Sequence, residues 1–117
     1  MKYEYHGVIT EEALDDNRLI NTLKIEKFHI TGHKKQSDRR HLYQVAVSLE
    51  QIHSLSNHIN EDYYLYFWKD NKIIALFPNN KQFQFDYLNQ DTWSEVLEYA
   101  HSIGMDEEDM DFSTSGL

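Results

Sequence analysis

Seven histidines, 20 acidic residues and one dense aromatic run are the side chains of this sequence that could do chemistry. The closest histidine pairs, His29 with His33 and His53 with His58, raise the question of a shared metal ion. Their spacing argues against it. Four residues of strand cover about 13 Å, and a five-residue step on a helix turns about 140° away from the starting face. His29, His33 and His41 could converge only at the base of a hairpin, and neither a cysteine nor an HExxH helix supports zinc there, so no metal or other cofactor is expected. The adjacent carboxylates Asp15-Asp16, Glu61-Asp62 and Glu107-Glu108-Asp109 lie in polar stretches, where solvation keeps them ordinary surface charges and not an acid–base pair. His101 follows Leu97 by four positions and Glu98 by three in a helical pattern, which suits a residue complementing a helix dipole better than a catalytic base.

The run Tyr63-Tyr64-Leu65-Tyr66-Phe67-Trp68 is the second feature. Aromatic strands can stack nucleic-acid bases, but phosphate binding needs a basic surface and the chain carries a net charge of -9. Only Lys34, Lys35, Arg39 and Arg40 form a local basic patch, and the strand lacks the glycine and basic residues of an RNA-binding motif, so nucleic acid is not an expected partner. A G-x-S-x-G turn, a phosphate-binding Walker loop and a G-x-G-x-x-G fingerprint are all missing. Two readings follow. The first is a non-enzymatic acidic interaction module that self-associates as a homodimer, or meets a protein partner, through sheet surface around Tyr64, Tyr66 and Trp68. The alternative is a small-molecule pocket, or an unrecognised enzyme, between the last helix and the aromatic strands, with Tyr64, Tyr66, Trp68, Trp93, Tyr99 and His101 as the ligand-binding set.

The elements that must position these residues can be read from periodicity and capping. Tyr3 to Ile9 alternates as a short strand, and Thr10, or Asp16 and Asn17, can start a helix whose narrow face is Leu19, Ile20 and Leu23. Lys24 to Thr31 reads as a strand with Ile25, Lys27 and His29 on one side and Glu26, Phe28 and Ile30 on the other. The basic segment Lys34 to Arg40 has no apolar residue and should tip a hairpin into the strand Leu42 to Val47. Ser48-Leu49-Glu50-Gln51 is a capping box for a helix buried through Leu49, Ile52, Leu55 and Ile59. Tyr63 to Trp68 and Ile73 to Phe77 are apolar on both faces and should be central strands joined by a tight turn at Asp70-Asn71. Phe83, Phe85 and Tyr87 alternate in a half-exposed strand. A second box, Thr92-Trp93-Ser94-Glu95, opens a helix with Trp93, Val96, Leu97, Ala100 and Ile103 on one stripe, ended by Gly104.

This order specifies an α+β protein, a mostly antiparallel sheet in which a ferredoxin-like βαββαβ start is extended by ββα, with helices on one face or, given the strong stripe beginning at Trp93, with the last helix on the opposite face as a third layer. At 117 residues the chain fits one domain, assigned to residues 1–112, with 113–117 expected as a disordered tail. It has no cysteine, and no apolar run approaches the roughly 20 residues that span a bilayer, so a cytoplasmic protein without a membrane partner is expected. From about Tyr63 onward, Tyr64, Phe67, Trp68, Phe77, Phe83, Thr92, Trp93, Glu98, Tyr99, Ser102, Gly104, Asp111 and Phe112 carry a resemblance to a family of small uncharacterised bacterial proteins. That family shares an aromatic strand, a Thr-Trp helix start and a Gly-to-Asp-Phe ending. Asp106 and Asp109 depart from its usual proline and glutamine, and the resemblance implies a fold but no activity.

Overall fold

The structure, a computed structural model, describes residues 2–106, 108, 110 and 112–117. Of the residues singled out above, Glu107, Asp109 and Asp111 lie outside it. Six strands form one antiparallel sheet: β1 (Tyr5–Thr10), β2 (Lys24–Ile30), β3 (His41–Val47), β4 (Leu65–Lys69), β5 (Lys72–Phe77) and β6 (Lys81–Asp86), in the order β2-β3-β1-β4-β5-β6. The two helices are α1 (Leu49–Leu55) and α2 (Ser94–Ser102). The doubly apolar runs do become the inner strands β4 and β5, and Asp70 at φ +53°, with Asn79 at +65° and Asn80 at +60°, turns the two hairpins around β5.

The sheet separates two cores. Because side chains alternate along a strand, Val45, Val47, Phe67, Ile74 and Leu76 face one way and pack with Ile52 and Leu55 of α1. Ile73, Ala75, Phe77 and Phe85 face the other way, against Trp93, Val96 and Ala100. Of the two arrangements open from sequence, helices on one face gives way to three layers. α1 and α2 cover opposite faces, and the stripe beginning at Trp93 supplies the third layer.

The capping signals fared differently at the two helices. At α1 the box forms in full: Ser48 Oγ accepts from the Gln51 amide at 3.2 Å, and Gln51 Oε1 accepts from the Ser48 amide at 2.9 Å. The stripe is shorter than expected, since Leu49 is exposed and Ile59 lies beyond the helix in a bridge to Leu14. At α2 no box forms. Thr92 Oγ1 donates to the Asn89 and Asp86 carbonyls and accepts from the Asp86 amide, which fixes a 3-10 turn over Gln90–Trp93 ahead of α2. Between β1 and β2 the expected helix is two 3-10 pieces, Glu11–Ala13 and Asn17–Thr22, the second capped by Asp16. Four of the six residues in its sequence, Asn-Arg-Leu-Ile-Asn-Thr, are asparagine, threonine or isoleucine, which gain little from an α-helical turn.

Residues 113–117, expected as a disordered tail, run across the second face. Tyr66 Oη donates to the Ser113 carbonyl at 2.7 Å, the Leu117 amide donates to Gln44 Oε1 at 2.8 Å, and Lys27 Nζ donates to the Leu117 carbonyl at 3.1 Å.

Candidate interaction surface

The aromatic residues expected to bind a ligand do converge, but on the chain itself. Phe112, fully buried and held at φ +49°, inserts its ring among them, with centroids 4.8 Å from Phe85, 5.3 Å from both Tyr66 and Trp93, and 5.9 Å from Tyr64. Tyr99 lies farther along the same layer, 5.4 Å from Phe77 and 5.2 Å from Phe83, and Trp68 lies at the other end, its ring tilted 6.0 Å from that of Tyr66. His101 stays on the exposed side of α2, away from this cluster. Phe112 thus fills the space between α2 and the strands, and an open hollow of about 400 Å³ remains at its rim beside Tyr64, Ile103 and Met105. The same packing covers the face on which self-association through Tyr64, Tyr66 and Trp68 was argued. The chain's own helix and C-terminal segment meet the need that motivated a second copy there.

Three histidines pair with carboxylates across elements: His6 Nδ1 with Glu26 at 3.0 Å, His41 Nδ1 with Glu12 at 2.8 Å, and His58 Nδ1 with Asp15 at 2.9 Å. His41 therefore does not gather with His29 and His33. It belongs with Glu11 and Glu12, whose ligand atoms lie within 4.8 Å of its own. These carboxylates already have partners. Glu12 accepts from the His41 amide and ring, and Glu11 accepts from Tyr43 Oη at 2.9 Å and Asn17 at 3.5 Å, so the cluster ties the first 3-10 turn to β3. Burial, then the bond to Glu11, raises the Tyr43 phenol above its ordinary value.

The strand left most exposed is β2. It is an edge strand, exposed along all seven residues. Its pairing with β3 slips between Ile25 and Lys27, so Glu26 is the extra residue of a bulge. The slip reverses the side-chain alternation read from sequence. Ile25 pairs with Val45, Phe28 with Tyr43 and Ile30 with His41, so all three apolar residues share the α1 side of the sheet. They are 47%, 52% and 43% exposed, beyond the reach of the seven-residue α1. Strict alternation hid this stripe, because the shift at Glu26 that brings Ile25 beside Phe28 and Ile30 is set by pairing with β3.

The backbone is available too. The Thr31 amide donates to the Arg40 carbonyl at 3.0 Å, so by antiparallel alternation Lys27, His29 and Thr31 direct their backbone groups to β3 while Phe28 and Ile30 turn theirs outward. An open hollow of about 570 Å³ borders this edge, lined by Lys27, Phe28, His29 and Leu117. Lys24, Lys27, Lys34, Lys35, Arg39 and Arg40, six of the chain's 11 cations, sit on β2 and the following loop, against Glu26 and Asp38 alone. That gives a local +4 beside -13 in the rest. No family model matches the chain, and no curated protein or solved structure does either. No helix among the described residues is long and apolar enough to cross a membrane.

Proposed function

We propose that the chain is a protein-interaction module without an enzymatic reaction of its own, and that partners dock along the edge of β2. One observation carries the reading: an edge strand with free backbone groups and an exposed Ile25-Phe28-Ile30 stripe is a template on which another chain can add a strand. Lys24, Lys27 and the bulge at Glu26 are the usual protections of such an edge, yet they occupy only its first half. From Lys27 to Ile30 the pairing with β3 is regular. We also read β1 to β4 as a split βαβ arrangement of the ferredoxin-like kind, because β2-β3-β1-β4 with antiparallel neighbours is its strand order, 3-10 turns standing in for its first helix.

Cross-linking through lysine in a lysate, read by mass spectrometry, tests the docking edge. Partner cross-links should concentrate on Lys24 and Lys27 and disappear when Phe28→Glu places a charge in the stripe. An even spread over Lys69, Lys72 and Lys81, unchanged by Phe28→Glu, would overturn the reading.

A further inference from the structure

We propose that the β2 edge takes an acidic, extended segment of a partner protein, which adds to the sheet as a further strand. This rests on the reading of β2 as a docking edge and names the chemistry of what docks. The argument is charge complementarity. In a chain with 20 acidic residues, none of the six cations on β2 and its loop forms an ion pair with an Asp or Glu side chain among the described residues, whereas two of the five elsewhere, Arg18 and Lys69, pair with Asp16 and Glu4 at 2.9 Å; Lys27 is held instead by the Leu117 oxygen at 3.1 Å. Arg39 and Arg40 direct their guanidinium groups to backbone carbonyls of the loop, which shapes the loop and leaves their charge uncompensated.

The strand geometry then specifies a pattern. A segment pairing with the outward backbone groups of Phe28 and Ile30 sets alternate side chains beside the apolar stripe on the α1 side. The intervening side chains fall on the opposite side, with Lys27 and His29. Its flank past Ile30 meets Lys34 and Lys35. An alternating apolar and acidic strand satisfies every one of these contacts. A nucleic acid would use the cations but not the aliphatic stripe or the strand edge, and the -13 of the remaining chain would oppose a long polyanion. A second copy meeting this edge two-fold would bring one +4 segment against another, which is repulsive.

The test uses isotope-labelled whole chain and a blocked peptide alternating valine with glutamate over about seven residues, the length of a strand. Matched peptides carry threonine or lysine in place of glutamate. The glutamate peptide should shift the amide resonances of Phe28 and Ile30. Its affinity should fall about tenfold when Lys34→Glu and Lys35→Glu are combined, equal to losing two or three exposed charge pairs. Added salt should weaken it, while the threonine peptide is indifferent to salt. Among the described residues the side chains of Lys34 and Lys35 have no hydrogen-bond partner, and an unchanged melting midpoint establishes that the variant is folded. If the threonine or lysine peptide binds the same amides as tightly, the acidic preference is overturned and the docking edge stands. If no peptide moves these amides, the proposal is overturned. Stronger shifts from a single-stranded oligonucleotide, or shifts on simple dilution of the protein, overturn it in favour of nucleic acid or of a second copy.

Discussion

Truncating Phe112 to alanine should cost the fold about 3–5 kcal/mol, the range for removing a fully buried phenylalanine. The figure can be built from its surroundings. A buried phenylalanine withdraws roughly 150 Å² from water, most of it beyond Cβ, worth about 3 kcal/mol at about 25 cal/mol per Å². Edge-on contacts with Tyr64, Tyr66, Phe85 and Trp93 add to this, and partial collapse of the site takes some back. Urea unfolding followed by tryptophan fluorescence is the assay, because Trp93 touches the ring directly. At a slope of about 2 kcal/mol per M, the midpoint should fall by about 2 M. The left-handed backbone at φ +49° supplies a second, sharper expectation. Phe112→Gly should be more stable than Phe112→Ala by about 1 kcal/mol, the reverse of the order at ordinary positions, because glycine adopts that conformation without a Cβ penalty. An alanine variant within about 0.5 kcal/mol of the parent would refute the view that Phe112 completes the second core.

Gly7 pairs with Phe67, and a Cβ there would come within 2.8 Å of Phe67 Cε1 and 3.0 Å of the Tyr66 carbonyl oxygen, so Gly7→Ala should destabilise by about 1–3 kcal/mol in the same assay. Trp93→Ala should cost about 3–5 kcal/mol, and Trp93→Phe should recover much of it while leaving the Asp86 carbonyl without the indole donor now 2.8 Å away. The His6 ring holds Glu26 below its ordinary 4.5; for Glu12, burial pushes upward but the His41 amide and ring together pull it below the same value. Depressed carboxylates contribute stability that is full above pH 4.5 and lost as pH falls through their folded values, so melting midpoints should drop on that acid limb and Glu26→Gln should flatten it.

The inner strands, the turn at Asp70 and the Ser48 cap were legible because each depends on neighbours in sequence: apolar runs, turn residues and a box of four. What escaped was set at a distance. Thr92 reads as a helix cap, but Asp86 and Asn89 compete for its hydroxyl and win. Phe112 looks like one hydrophobe in an acidic tail, and only the sheet's open second face explains its burial. Ile25 was assigned to the wrong side because alternation is blind to a bulge, and that one slip concealed the surface on which the function proposed here depends.

The sheet is a septum between two cores drawn from different lengths of chain. The buried residues of the first all lie between Tyr5 and Leu76, whereas those of the second lie between Trp68 and Phe112. During synthesis the first layer can therefore close on β1, β3, β4 and β5 before the residues that seal the other side have emerged. The contact between Lys27 and Leu117, 90 positions apart, belongs to the costliest loop closures in the molecule. In the finished protein the same division lets the α2 layer open without dismantling the α1 layer, so amide exchange should resolve two cooperative units that share β4 and β5 as a common wall.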